Sequence, residues 1–150
     1  MDLFHSGSEE PKSKILRYVV SAAAFIVLVS WGIWFFTRYR TEEHTVEQFL
    51  DALIDGNSQR AYQIWHPHRG FEFQDFLSFW GPNGLYSPMK SYRIESAAPP
   101  RRGGSGIIVT VEFSPYAPFP DDSDAAKSRF NREVSIWVER SDQSLSFPPP

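Results

Sequence analysis

The chain contains 150 residues, of which 41% are hydrophobic, 16% aromatic and 22% charged, and its formal net charge is −3. This composition excludes an intrinsically disordered chain, and the length allows one domain, or a smaller domain with an anchor. The acidic balance argues against a nucleic-acid-binding protein, and the absence of cysteine excludes disulfides, thiolate metal sites and thiol nucleophiles.

The most distinctive segment is an uncharged run of 19 residues, "YVVSAAAFIVLVSWGIWFF", at positions 18–36. As a helix this run would rise about 28 Å, which is close to the hydrocarbon thickness of a bilayer. Residues suited to the membrane interface flank it or lie near its C-terminal end: Arg17, Trp31, Trp34, Arg38 and Tyr39. We therefore predict an N-terminal tail over residues 1–17 and a single transmembrane helix with its interfacial flank over residues 18–40.

Two other interpretations, a cleaved signal peptide and a buried helix, fit this segment less well. A cleaved signal peptide would have a shorter apolar run and a small-residue cleavage site after it, whereas "FFTRYRTEE" follows here and "SAAA" lies too early, at 21–24. A buried helix of a soluble protein would not change so sharply from apolar to charged residues. A retained anchor is the favoured interpretation.

The flanking charges predict the orientation of this helix. Three basic residues precede it and two follow it closely: Lys12, Lys14, Arg17, Arg38 and Arg40. The positive-inside rule then places the N-terminus in the cytoplasm and the C-terminal domain on the extracytoplasmic, periplasmic side of a bacterial envelope. Small residues at 21–24, with Ser30 and Gly32, would let another membrane helix approach closely, or they are ordinary apolar filler.

The segment after the anchor predicts three helices. In "TVEQFLDALIDGN" the apolar residues recur at helical spacing, with Thr45 and Gln48 as a possible capping box and Gly56 as a stop. The anchor helix running straight into this helix is an open alternative. "NSQRAYQIWHP" predicts a second helix that Pro67 ends, and "FEFQDFLSFWG" predicts a third that Gly81 ends.

The apolar period then changes from 3.6 to 2, which predicts antiparallel strands. "SYRIES", "IIVTVEFS", "RFNREVSIWVER" and "LSF" each place alternate apolar residues on one face, and Phe130 continues the face of Val134, Ile136 and Val138. "PYAPFPDDSDAAKS" is predicted as a long polar connection, and 148–150 as a tail. Helices followed by strands indicate an α+β domain over residues 41–147, with the helices on one face of the sheet.

The phrase "FLDALIDGNSQRAY", with its apolar helix face, Gly-Asn turn and Ala-Tyr on the next helix, resembles the opening of nuclear transport factor 2-like proteins. The resemblance covers about residues 45–147. It implies a cone-shaped α+β domain whose curved sheet wraps around a long helix, often with an apolar pocket. Members of that superfamily include isomerases, dehydratases and non-enzymatic assembly domains, and dimerisation through the outer sheet face is common among them.

Three sets of residues are candidates for chemistry. His66 and His68 flank Pro67 at a helix end, where a zinc site would need further ligands such as Glu72 or Asp75. An acid–base pocket could use Tyr62, His66, Asp75 and Tyr92, but no motif relates them. The acidic loop of Asp121, Asp122 and Asp124 lacks the glycine and the closing glutamate of a calcium loop. Helix capping, plain core and a solvated loop are the favoured interpretations, so we expect no cofactor and no metal.

The last candidate is Trp137, which strand alternation places opposite Val134, Ile136 and Val138, on the same face as Glu133, Ser135 and Glu139. Because tryptophan is enriched at interface hot spots, this face is predicted to be a protein contact, unless a helix or the chain's end covers it. The expected function is that of a non-catalytic accessory, assembly or scaffold subunit of a membrane protein complex, with a membrane partner or a second copy. The alternative is binding of an apolar small molecule, or isomerase- or dehydratase-like activity, in the cone cavity.

Overall fold

The computed structural model describes residues 10–65 and 70–149, with side chains from residue 14. The chain divides into two compact units, Met1–Arg38 and Tyr39–Pro150. The five helices within the described ranges are α1 (Glu10–Thr37), α2 (Arg40–Ile54), α3 (Ser58–Trp65), α4 (Phe73–Trp80) and α5 (Ala125–Ser128). The four strands are β1 (Ser91–Ala98), β2 (Gly106–Ser114), β3 (Arg132–Glu139) and β4 (Leu145–Ser146).

The first unit contains α1, which is apolar on all sides. Large hydrophobic side chains such as Val19, Phe25 and Leu28 are 58–68% exposed. The helix is long and apolar enough to cross a membrane. The helix begins at Glu10, earlier than the predicted residue 18, because the preceding polar residues continue its hydrogen-bonded turns.

The hairpin of α2 and α3 has the predicted turn but not the predicted capping box. Gly56 has a φ of +75°, and the Asn57 amide donates to Ala52 O at 2.8 Å, which closes the C-terminus of α2. The Asn57 side chain then caps α3 by accepting from the Arg60 amide. The Thr45 and Gln48 capping box is wrong, because α2 begins at Arg40 and Thr45 therefore lies inside it.

The third predicted helix, α4, ends at Gly81 as predicted, and it has a capping box at its N-terminus that was not predicted. Glu72 and Asp75 form a reciprocal capping box in which the Glu72 amide donates to the Asp75 carboxylate at 3.0 Å. Gly81 ends the helix, and a Cβ at this position would lie 2.5 Å from Leu77 O. The close approach of backbone to backbone explains why glycine is needed here.

The four strands form one antiparallel sheet in the order β1-β2-β3-β4. Alternate residues of the two central strands are buried on the inner face: Ile107, Val109, Val111, Phe113, Val134, Ile136 and Val138. A register shift between Ile94 and Ser96 gives β1 a bulge, after which Ala97 again faces inward. The predicted α+β class, with helices first and antiparallel strands second, is confirmed.

Two details of the β2–β3 connection differ from the predictions. The connection was expected to be irregular, but Asp124 caps a single helical turn, α5, by accepting from the Lys127 amide. Phe130 was expected to continue the inner face of β3, but the strand begins at Arg132 and the Phe130 ring is 47% exposed beside Tyr116. The turn before the strand breaks the period of two, so spacing alone assigned Phe130 to the wrong surface.

The first turn of α2 is tied to the connection between β3 and β4. Glu42 is only 4% exposed, and its carboxylate accepts from the Arg140 guanidinium at 3.0 Å. Thr45 donates to the Gln143 side chain at 2.9 Å. These two contacts join the beginning and the end of the domain.

The space between the helices and the sheet is filled by aromatic side chains. Phe49 of α2 is fully buried, and its ring centroid lies 5.0 Å from that of Trp65, 5.1 Å from Trp80 and 6.1 Å from Phe76. Phe147, just after β4, closes the cluster against Trp65 and Trp80. Aromatic pairs at these distances add to the free energy gained by burial alone.

We expect Phe49→Ala to lower the free energy of unfolding by about 3–5 kcal/mol, because it leaves a cavity where three helices meet. Denaturation of the full-length protein in detergent, followed by tryptophan fluorescence, measures this change. Phe130→Ala is the control, since truncating a half-exposed ring outside the core should cost about 0.5 kcal/mol or less. Equal losses for the two variants would contradict the assignment of Phe49 to the core.

Candidate interaction site

The outer face of the sheet carries the residues that were predicted as a protein contact. Glu133, Ser135, Trp137 and Glu139 alternate with the buried residues of β3 and therefore point away from the helices. Across the strand pair, Trp137 lies beside Ile108 of β2, and Ser135 lies beside Thr110. The predicted face therefore exists as a surface of the folded domain.

Trp137 is held flat on this face because two residues beside it are glycines. A Cβ on Gly104 would lie 2.7 Å from the indole Cη2 atom, and a Cβ on Gly106 would overlap the same ring. Gly106 is also the first residue of β2 and pairs with Glu139. The indole occupies the space that a side chain at these positions would need, an arrangement known to compensate for glycine in a strand.

The Glu139 carboxylate lies on the same face as the Trp137 indole and accepts hydrogen bonds there. The Ser105 hydroxyl donates to the Glu139 carboxylate at 2.8 Å, and this bond, together with one from the Trp137 side chain, lowers the pKa of Glu139 below its usual 4.5. A tryptophan positioned in this way loses little conformational freedom when a partner binds.

The β1–β2 loop forms one wall of a cleft beside Trp137. The cleft has a volume of about 480 Å³, and its floor is formed by Ile108, Thr110 and Trp137. Pro99, Pro100 and Gly103 shape the loop, with a turn closed by the Gly103 amide and Pro100 O. The cleft combines a fixed aromatic floor with a stiff rim.

Two adjacent arginines, Arg101 and Arg102, line the rim of this cleft. Both are exposed, and neither has an ion pair or a side-chain hydrogen bond with any residue that the structure describes. Arginine binds carboxylates through two parallel hydrogen bonds, so an unpaired couple of arginines favours an acidic partner surface.

The opposite end of the outer face has a different charge pattern. The Arg93 guanidinium contacts Glu95 at 2.5 Å, Glu112 at 2.9 Å and Asp122 at 3.4 Å, and these carboxylates raise its pKa. Acidic groups outnumber the single arginine in this network. The outer face is therefore basic near Trp137 and acidic near Arg93.

The residues predicted for a cone cavity have separate partners. The Tyr62 hydroxyl donates to Phe71 O at 3.0 Å, and Asp75 caps α4. Tyr92 donates to the Asp51 carboxylate at 2.8 Å, and burial together with this bond raises its pKa. His66 lies outside the described residues. The described members of this set therefore form separate hydrogen bonds within the fold and do not converge on one cavity.

The residues considered as metal ligands are likewise not brought together among the described residues. His66 and His68 both lie outside the described residues. Asp124 caps α5 and pairs with Lys127 at 3.1 Å, which lowers the pKa of Asp124. In residues 10–65 and 70–149, no group of three or more His, Asp or Glu side chains is placed to hold a metal ion.

The predicted membrane-interface residues divide between the two units. Trp31 and Trp34 lie exposed on α1, and the Arg38 guanidinium lies 4.4 Å from the Phe35 ring centroid. Arg17 also lies on α1, in an exposed position. Tyr39 instead belongs to the second unit, where it packs against the core with the Arg140 guanidinium 6.0 Å from its ring centroid.

Sequence reasoning identified Trp137 but missed its surroundings. The prediction assigned only a loop to the residues around it: Arg101, Arg102, Gly104 and Gly106. The run "PPRRGGSG" did contain a signal, because paired arginines between stiff prolines and permissive glycines are unusual for a plain connection. The fold of the loop over the sheet could not be read from it.

No protein-family model, curated protein or solved structure matches this chain in comparisons with known proteins. The geometry of the described residues therefore carries the functional argument.

We expect Gly106→Ala to lower the free energy of unfolding by about 1–3 kcal/mol, because the added methyl group must displace the indole of Trp137. In a Trp137→Ala background the same substitution should cost almost nothing, since the overlapping ring is absent. Urea denaturation of the four proteins of this double-mutant cycle measures the coupling. Additive effects would show that Trp137 does not rest on Gly106.

Proposed function

We propose that this protein is a single-pass membrane protein whose C-terminal α+β domain is a non-catalytic accessory, assembly or scaffold subunit of a membrane protein complex. Its partner, another membrane protein or a second copy, binds the outer face of the sheet. The N-terminus lies in the cytoplasm, and the domain lies on the extracytoplasmic side.

One observation carries this proposal. Trp137 lies over two glycines on the outer sheet face, and it lines the same cleft as two arginines that have no partner among the described residues. Fixed aromatic side chains and arginines are the residue types that dominate the binding energy of protein interfaces. Nothing in the packing of the domain itself requires both arginines at this place.

The packing of the core also supports a non-catalytic domain. Aromatic rings fill the space between helices and sheet, and the described members of the predicted acid–base set are engaged in separate hydrogen bonds. An acid–base site needs a cavity in which such groups converge on a substrate. This packing therefore favours the proposed binding surface over a reaction centre in the cone.

The exposed α1 helix supports the membrane part of the proposal. Its large apolar side chains are exposed along the helix, and lipid is the environment that would cover them on all sides. The proposal also keeps the relationship to nuclear transport factor 2-like domains, which the order of helices and antiparallel strands supports.

Photo-cross-linking in living cells tests the proposed face. A photoreactive amino acid at Ser135, on the outer face, should give one discrete product, and the same probe at Gln59, exposed on α3, should give none. The Trp137→Ala substitution should reduce the Ser135 product several-fold, whereas Phe130→Ala should leave it unchanged. The mass of the product distinguishes a second copy from another protein.

Equal products from the two probe positions, or no product from Ser135, would contradict a partner on the outer face. A product that survives Trp137→Ala would show that binding does not depend on the tryptophan.

The predicted orientation can be tested with single cysteines, because the natural chain has none. Ser141→Cys should react with a membrane-impermeant maleimide in intact cells, since Ser141 is exposed and belongs to the extracytoplasmic domain. Ser6→Cys, in the N-terminal tail, should react only after the cells are permeabilised. The reverse pattern would invert the orientation.

A further inference from the structure

The edge of β3 that faces away from β2 is covered over only part of its length. β3 is eight residues long, whereas β4 is two residues long and pairs only with Trp137 and Val138. The first half of β3, at residues 132–135, therefore has no strand beside it on this edge within the described ranges. An open strand edge presents main-chain donors and acceptors with which another chain can pair.

The hydrogen bonds of the β3–β4 hairpin identify the residues that point to this edge. The Glu139 amide donates to Ser144 O at 2.9 Å, on the β4 side of β3. In an antiparallel ladder the main-chain groups alternate between the two sides of a strand, so those of Trp137, Ser135 and Glu133 point to the same side. Trp137 pairs there with β4, whereas the N–H and C=O groups of Ser135 and Glu133 on this edge have no partner among the described residues.

The segment after β4 does not continue this ladder. The pairing of Trp137 with Ser146 would bring Pro148 opposite Ser135, and proline has no N–H group to donate. Glu133 is exposed and Ser135 is half-buried, so no described part of the domain buries either residue. The ladder thus ends for a chemical reason, and the main-chain groups beyond its end are accessible.

The two edges of the sheet differ in how they are protected. β1 has a bulge between Ile94 and Ser96, and its Arg93 and Glu95 form an ion pair. Bulges and charged side chains are devices that prevent strand addition. β3 pairs with β2 without a register shift, and the Glu133 carboxylate has no ion pair with any residue that the structure describes. The edge of β3 is therefore regular and carries one unpaired negative charge.

We propose that an extended segment of a different protein adds to the sheet antiparallel to β3, in the place where β4 stops. Its main chain bonds to the N–H and C=O groups of Glu133 and Ser135, which lie about 7 Å apart, the two-residue repeat of an extended chain. Its side chain opposite Glu133 is basic, because directly paired opposite charges are favourable. This inference rests on the proposed function, since it states how the partner at the outer face is held.

A second copy of the chain does not fit this edge. Pairing Glu133 with Ser135 of the other β3 would bring Asn131 opposite Trp137, where β4 already occupies the edge. Pairing Glu133 with the same residue of the other copy would place like charges opposite each other, which is destabilising. The segment therefore comes from a different protein.

Hydrogen exchange of the purified full-length protein in detergent, followed by NMR, tests whether the edge is open. The Ser135 amide should exchange at least about a hundredfold faster than the Ile136 amide, which points to β2 and belongs to the β2–β3 ladder. Equal protection of the two amides would mean that another part of the chain already covers the edge, and it would overturn the proposal.

A proline at the open edge tests the strand addition itself. A photoreactive amino acid is placed at Ser96, which is exposed on the outer face of β1 and distant from the β3 edge. Ser135→Pro removes the N–H that points to the open edge and keeps the bonds between β2 and β3. The reference is Ser135→Ala, which removes the same hydroxyl and keeps the N–H. Ser135→Pro should give at least about tenfold less Ser96 product in living cells than this reference.

A charge substitution covers the case in which Ser135→Pro does not fold, which urea denaturation detects. Glu133→Lys places like charges opposite each other at the added strand and should lower the Ser96 product several-fold. Asp55→Lys makes the same change of charge at an exposed residue after α2, and it should leave the product unchanged.

The outcomes separate this inference from the proposed function. Equal Ser96 product in folded Ser135→Pro and Ser135→Ala, or a product that survives Glu133→Lys, would overturn strand addition and leave a partner on the outer face. A product with twice the mass of the chain would show that a second copy binds, which also overturns the inference. Absence of any product from probes at both Ser96 and Ser135 would contradict the proposed function, and the strand addition would fail with it.

Discussion

The aromatic cluster around Phe49 is the contact on which the rest of the domain depends. The Phe49 ring of α2 contacts Trp65 of α3 and Trp80 of α4, and Phe147, after β4, packs against both of these tryptophans. Among the described residues, large aromatic rings fill the space between the helices and the sheet. The cleft beside Trp137 lies outside this cluster, on the outer face of the sheet.

Most of the architecture follows from apolar spacing. The helical period of "VEQFLDALI" and the alternation of "IIVTVEF" are strong local signals. The turn between α2 and α3 is also local, because it depends on the positive φ of Gly56 and on the side-chain cap of Asn57. The short helix α5 and the position of Phe130 were missed, because one helical turn and a strand end are decided by tertiary contacts. The role of Gly106 was also not predicted, because the sequence does not indicate that the Trp137 ring packs over this glycine.

Trp137 and Trp80 differ in what could be predicted about them from the sequence. Trp137 stood out because strand alternation placed a large apolar residue among polar neighbours. Trp80 gave no such signal, because it follows the helical period of α4 like any core residue, and its unused N–H appears only when every acceptor around it has been placed. Patterns report which face a residue occupies, whereas hydrogen-bond satisfaction depends on the whole fold.

The contacts between α2 and the β3–β4 connection also bear on how the chain reaches its native state. Thr45 and Gln143, like Glu42 and Arg140, are 98 positions apart, so both bonds form only after nearly all of the domain up to Gln143 has been synthesised. Contacts of such long sequence separation slow folding, because a large loop must close before they form. The three helices around Phe49 precede all four strands in the chain. Their aromatic faces therefore stay uncovered until the strands have been synthesised and have paired.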